Sequence, residues 1–232
     1  MAFNNIEVVS IEGNIGSGKT TIFEELKSYY ENNKNVIFLK EPVDEWSKIK
    51  DKDGNTILKK FYSDQLKYSF SFQMMAYVSR LKVMRETLKK YKNENNDTNK
   101  LLIITERSLY TDKMVFAKML YETGMIEEVN YQIYLNWFDT FIEEFPVHKI
   151  IYVKTSAEKC HYRIMKRSRE GEAIIPLEYL DSLNEYHEEM LDPINPNDVY
   201  CYKQLILDGN VDIYENNQQM EKWINQINNF IK

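Results

Sequence analysis

The stretch Gly13–Thr20 reads GNIGSGKT and fits the pattern G-x-x-x-x-G-K-[ST]. It lies between a short apolar, β-branched run and a helix-forming stretch, the context this pattern requires. Gly13, Gly16 and Gly18 are three of only seven glycines in the chain. Such glycines let successive N–H groups turn inward on phosphate oxygens, and the following helix adds the positive end of its dipole. Read this way, Gly13, Asn14, Ile15, Gly16, Ser17, Gly18, Lys19, Thr20 and Thr21 cradle a nucleoside triphosphate. Lys19 reaches the β/γ-phosphates and the Thr20 hydroxyl holds Mg²⁺. The competing reading is an ordinary glycine-rich turn, and the loop alone names no reaction.

Around the loop, five short apolar runs alternate with long helical stretches: Ile6–Ile11, Val36–Leu39, Leu101–Thr105, Lys149–Val153 and Gln204–Leu207. Runs this short suit strands buried on both faces, and the alternation predicts βαβ units around a parallel sheet. Helices are expected over Thr20–Tyr30, Asp64–Tyr91, Ser108–Tyr121, Glu127–Phe145, Ala157–Arg169, Leu177–Leu191 and Gln218–Ile231. The polar stretch Asn93–Lys100 reads as a surface loop, and Pro193 and Pro196 mark another. No linker or repeat divides the 232 residues, so a single α/β domain over 1–232 is expected.

Composition narrows the function classes. A net charge of −6 argues against a general nucleic-acid surface, and the two cysteines, Cys160 and Cys201, against a disulfide scaffold or zinc site. No run approaches the ~20 apolar residues of a membrane span. The N-terminal MAFNNIEVVSIEG has no basic segment or transit-peptide composition, so a cytoplasmic protein is expected.

Two carboxylates fall just past strand ends, the edge at which open α/β sheets bind ligands. Glu41 follows Val36–Leu39 and is placed to accept a proton from an attacking hydroxyl; alone it also reads as a solvated loop residue. Glu106-Arg107-Ser108 follows the third run, where Arg107 offers a fixed fork to phosphate oxygens; a surface Glu–Arg pair is the alternative. His161–Glu172 carries Arg163, Arg167 and Arg169, with the first two four apart on one helical face and Gly171 as a hinge. A solvated basic helix end explains that cluster equally well. Gln73, Ala76 and Arg80 share a face of the long helix beside Phe72, as do Asp112 and Phe116 on the next. Polar residues on solvent-facing sides are the plain reading of both.

Taken together and in order, IEGNIGSGKTT (Ile11–Thr21), LKEPVDEW (Leu39–Trp46), SFQ (Ser71–Gln73), ERSLYTD (Glu106–Asp112) and IPLEYL (Ile175–Leu180) resemble the deoxynucleoside kinase family of deoxycytidine, deoxyguanosine and mitochondrial-type thymidine kinases. The likeness covers nearly the whole chain. It implies a P-loop NTPase fold: a five-stranded parallel sheet, helices on both faces and a short lid at about 161–175. The implied activity is ATP-dependent phosphorylation of the 5′-hydroxyl of deoxynucleosides by a homodimer. Glu41 becomes the general base, Arg107 and Lys19 the groups at the transferred phosphoryl, and Glu106 with Thr20 the Mg²⁺ residues. Arg163, Arg167 and Arg169 become the lid arginines. Gln73, Arg80 and Asp112 read the nucleobase and Phe72 and Phe116 stack on it, with Ala76 alongside. Tyr62 and Glu172 hold the sugar 3′-hydroxyl, while Trp46 and Leu58 form apolar walls. The Arg80–Asp112 pair accompanies deoxycytidine and purine acceptors rather than thymidine. The loop is closer to insect multisubstrate members, the pocket to deoxycytidine and deoxyguanosine members, and the lid tip Glu170–Ile174 departs from both.

Two other readings compete. A thymidylate-type monophosphate kinase also uses a P-loop and a lid, but its substrate needs an extra phosphate-binding arginine near Glu41 that Glu-Pro-Val does not supply. A non-catalytic nucleotide-binding relative would not need Lys19, Glu41, Arg107 and the lid arginines intact.

Overall fold

The computed structural model describes residues 5–94, 100–167, 171–192, 203–213 and 217–232. Five strands, β1 (Ile6–Glu12), β2 (Val36–Leu39), β3 (Leu101–Glu106), β4 (Lys149–Lys154) and β5 (Gln204–Asp208), form one sheet of order β2-β3-β1-β4-β5. Every pairing is parallel. Each apolar run became a strand, extended by at most one residue at its carboxyl end.

Alternation along β1 divides its side chains between two layers. Val9 and Ile11 pack with Ile22, Phe23 and Leu26 of α1 (Lys19–Tyr29) and with Trp223 and Ile227 of the last helix. Val8 faces Tyr77, Leu81, Tyr134 and Phe138 on the opposite side. The chain leaves β1 in one direction to reach β2 and β3, then returns past it to β4 and β5. That reversal leaves a crevice at the carboxyl ends of β3, β1 and β4.

Two short helices were not expected from periodicity: α2 (Val43–Trp46) and α3 (Ile57–Ser63). They are too short to show a 3.6-residue pattern, although Thr56 caps α3 by accepting from the Lys59 amide at 3.2 Å. Asp64 then caps α4 (Gln65–Glu94), taking the Lys67 amide at 3.2 Å. The helix enters the stretch read as a loop from Asn93; residues 95–99 lie outside the described ones, as do Pro193, Pro196 and Arg169. After β3, α5 (Leu109–Thr111) continues into π-helical turns at Asp112–Ala117 and then α6 (Lys118–Glu122). The expected helix to Phe145 is shorter: α7 (Glu128–Phe141) ends in a 3₁₀ turn at Ile142–Glu144, ahead of Pro146, which cannot donate to the previous turn. The remaining helices are α8 (Ala157–Arg167), α9 (Leu177–Leu191) and α10 (Asn217–Ile231). Among the described residues no helix is long and apolar enough to cross a membrane.

Candidate active site

The loop after β1 approaches its neighbours closely. A Cβ at Gly13 (φ 142°) would lie 2.6 Å from the Val153 carbonyl oxygen, and one at Gly16 (φ 78°) 2.6 Å from that of Cys160. Only glycine satisfies both the backbone angle and the space at these positions. The Asn14 side chain fastens the loop to α9, donating to the Leu180 carbonyl at 2.8 Å and to Asn184 Oδ1 at 2.7 Å while accepting from the Ile15 amide. What Asn14 leaves for a ligand is therefore backbone. Lys19 is buried and donates to the Asn14 carbonyl at 2.5 Å. Burial and then Arg107 push its pKa down to about 7, against the pull of Glu106 and Glu41.

Arg107 is the only non-glycine residue described with positive φ, at 63°. Backbone strain of this kind persists where surrounding contacts over-determine it, and here they do. Its amide donates to the Ile11 carbonyl at 3.0 Å, and Nη1 donates to the Gly13 carbonyl at 2.8 Å. Nε lies 3.3 Å from Glu41 Oε1, and the guanidinium sits over the Phe116 ring at 4.9 Å. Next to it, Thr20 donates its hydroxyl to Glu106 Oε1 at 2.5 Å. A hydroxyl and a carboxylate facing one another beside a phosphate loop suit Mg²⁺, which takes few protein oxygens and completes its shell with water and substrate phosphates.

Two clefts open from this point. The larger, of about 1330 Å³, runs along Gly16–Ile22 between Tyr162, Arg163, Lys166 and Arg167 of α8 and the segment after β5. Arg163 is held there through Nη1 to the Ser17 carbonyl at 3.0 Å. The smaller, of about 620 Å³, is bounded by Trp46, Leu58, Tyr62, Phe72, Gln73, Ala76, Asp112, Phe116 and Glu172, with Glu41, Glu106 and Arg107 at its inner end. Gly16, Lys19, Thr20 and Arg167 border both clefts.

The wall of the smaller cleft draws on α2, α3, α4, the π-helical turns and the 3₁₀ turn at Glu172–Ile174. Trp46 from α2 donates its indole N–H to Ser79 at 2.8 Å and packs edge-on against Phe72, whose ring stacks on Phe61 at 4.6 Å. Gln73 is 2% exposed, and its amide forms no hydrogen bond among the described residues. The amide faces the smaller cleft, where a ligand could pair with it. Asp112 and Phe116 reach the cleft from the π-helical turns at Asp112–Ala117. Glu172 is buried and accepts from Arg167 at 3.1 Å (Nε) and 2.5 Å (Nη2), so the lid arginine and the carboxylate expected at the sugar are joined. Burial raises the Tyr62 hydroxyl well above its ordinary pKa, with Tyr179 and Glu172 adding to the effect.

Arg80 is not itself part of this wall. It is 5% exposed, stands behind Asp112, and holds that carboxylate through Nε at 2.9 Å and Nη2 at 3.3 Å. It also reaches the Glu106 carbonyl through Nη1 at 2.8 Å and Glu41 Oε1 through Nη2 at 3.0 Å. Burial tends to raise both carboxyl pKa values. For Glu41 the surrounding Arg107, Arg80 and Lys19 outweigh it and hold the carboxyl below its usual value, whereas for Asp112 burial prevails over Arg80 and the value is raised.

Some groups escaped sequence reasoning. Glu12 is fully buried at the end of β1, its oxygens taken by the hydroxyls of Ser10 and Thr111. His187 is also fully buried, with Nδ1 2.6 Å from the Leu183 carbonyl and Nε2 3.5 Å from Arg107 Nη1; burial, then Arg107, lowers its pKa to about 3. Neither lies in a recognisable pattern. Val211, Ile213 and Trp223, which border the larger cleft, carry no local signal either.

A family model described as deoxynucleoside kinase matches residues 9–232. A probable deoxycytidine kinase of Fowlpox virus is 32% identical, aligned over 96% of this chain and 87% of its own length. Deoxycytidine kinase 1 of Xenopus laevis is 31% identical over 97% of this chain and 91% of its own. Human mitochondrial thymidine kinase 2 is 33% identical over 79% of this chain and 64% of its own. With the phosphate loop and the two adjoining clefts, these likenesses establish that the chain belongs to the deoxynucleoside kinase family, enzymes that transfer a phosphoryl group from a nucleoside triphosphate to a deoxynucleoside.

Proposed function

We propose that this enzyme uses ATP and Mg²⁺ to phosphorylate the 5′-hydroxyl of deoxycytidine and purine deoxynucleosides in preference to thymidine. The observation that carries this reading is the junction of the two clefts: Lys19, Thr20 and Arg167 border both, and Glu41 stands at the inner end of the smaller one. A triphosphate in the larger cleft and a nucleoside in the smaller would meet there.

The residues divide the work by chemistry. The loop amides and Lys19 hold the donor phosphates, while Arg163 and Arg167, with Arg169 beyond the described residues, close over them. Thr20 and Glu106 hold Mg²⁺, which neutralises charge on the phosphates. Glu41, kept ionised by its cations, accepts the proton of the 5′-hydroxyl, and Arg107 binds the phosphoryl oxygens. Tyr62 and Glu172 bind the sugar, and Phe72 and Phe116 flank the base. Gln73 answers its edge with one donor and one acceptor. Asp112, backed by Arg80, lines the wall where the thymine methyl would have to fit. An assay of ADP release with each deoxynucleoside tests the reading; activity on monophosphates alone would refute it.

A single kinase domain over 1–232 acts as a homodimer in this reading. Val129, Ile133 and Trp137 recur every four residues along α7 and are 60%, 43% and 48% exposed, beside Val78 of α4 at 49%. Such a stripe suits burial against a second copy. Sedimentation equilibrium checks this: a dimer mass is expected, and Trp137→Glu should shift it to that of a monomer.

A further inference from the structure

We propose that Arg80 is a positioning residue for Glu41, so that one guanidinium serves both the nucleobase end of the acceptor cleft and its general base. The inference rests on the assignment of Glu41 as that base. Its support is the geometry of a single buried side chain. Arg80 comes from α4, in the middle of a 30-residue helix. Its fork meets Asp112 at 2.9 and 3.3 Å, the Glu106 carbonyl at 2.8 Å and Glu41 at 3.0 Å. These contacts lie on three other segments: the π-helical turns, the end of β3, and the residue pair after β2. A planar guanidinium fixed at that many points cannot swing toward one partner without releasing another.

Glu41 needs such a hold. It follows a strand of four residues, the shortest in the sheet, and precedes a proline. Its contacts with Arg80 and Arg107 both fall on Oε1. The other oxygen, Oε2, accepts no hydrogen bond among the described residues. The carboxylate is thus held through Oε1 and has the other oxygen left over for the incoming hydroxyl. Arg107 alone would hold Oε1 from one side, whereas Arg107 and Arg80 together hold it from two and restrict how the group can turn. Because Arg80 also holds Asp112, a base that engages Asp112 acts on the same guanidinium that orients Glu41. Recognition at one end of the nucleoside is thereby mechanically joined to proton removal at the other.

A double-mutant cycle tests this. The variant R80M/D112N removes the shared cation without stranding a buried carboxylate charge, and E41Q removes the base. With saturating deoxycytidine and ATP, R80M/D112N is expected to lower kcat about tenfold in the wild-type background and to cause no further loss in the E41Q background, since nothing remains to orient. An equal fold-loss in both backgrounds would show that Arg80 acts only through substrate binding or the fold, and would overturn the proposal. Should R80M/D112N fail to fold, Arg80→Lys replaces it. It keeps the charge and loses the fork, with about threefold expected in the wild-type background and none beyond E41Q. Wild-type kcat in E41Q alone would instead refute the base assignment and leave the Arg80 contacts without a catalytic object.

Discussion

The two clefts that meet at Lys19 are built on opposite principles. The triphosphate side is centred on a backbone loop, with glycines at Gly13 and Gly16 that tolerate no Cβ, and side chains such as Arg163 and Arg167 gather around it. It recognises phosphate, which every nucleoside triphosphate shares. The acceptor side is made of side chains from α2, α3, α4 and the helix after β3, with buried charges paired among themselves and one amide left open. The loop at the centre of the first can be written into about eight consecutive residues and recurs in unrelated enzymes. The second exists only when distant segments pack, and in the proposed reading it determines which molecule is phosphorylated.

Each half can be broken while the other is kept. Glu41→Gln preserves shape and removes the base, so kcat should fall about 10²–10⁴-fold. Donor affinity, measured by titration calorimetry, should stay within about threefold. A kcat within about threefold of wild type would take Glu41 out of the chemistry. Lys19→Ala attacks the other half. It removes a point charge where negative charge develops, and about 10²–10³-fold in kcat should be lost while deoxycytidine affinity persists. Equal weakening of both ligands would mean that the clefts are not separable. The smallest effect is on the scaffold. Gly16→Ala sets a Cβ 2.6 Å from a carbonyl oxygen at φ 78°, whereas Gly54→Ala, at φ 82°, meets nothing within 4 Å. Thermal unfolding should show the first costing about 1–3 kcal/mol more than the second. Equal costs would mean that the loop yields at Gly16 and is not held as tightly as its contacts imply.

This division also explains what could be read without coordinates. The five strands were legible because runs such as Leu101–Thr105 are buried on both faces and carry no competing periodicity. The phosphate loop was legible because its function is local. The helices α2 and α3, which carry Trp46 and Leu58 to the acceptor wall, were missed because helices of four and seven residues have no room for a pattern. The π-helical turns at Asp112–Ala117 were equally invisible, since nothing in DKMVFA departs from ordinary helical composition. The acceptor residues were named through a family resemblance, not through spacing. Even so, the resemblance placed Arg80 with Asp112 alone and gave no hint of its reach to Glu41, 39 positions away in the chain. Glu12 and His187 matter for what surrounds them, and a single buried residue announces that in no sequence.

In the proposed reading the side-chain-built cleft selects the acceptor. Competitive kcat/KM measurements on the four natural deoxynucleosides check this, in wild type and with the wall opened by Asp112→Ala together with Arg80→Leu behind it. Removing both avoids an unpaired buried charge, which would cost about 3–5 kcal/mol. Wild type should favour deoxycytidine or a purine deoxynucleoside over thymidine by at least about tenfold, a difference of about 1.4 kcal/mol in transition-state binding. The opened variant should shift that ratio toward thymidine. Thymidine as the best wild-type substrate, or an unchanged ratio after the wall is opened, would contradict it.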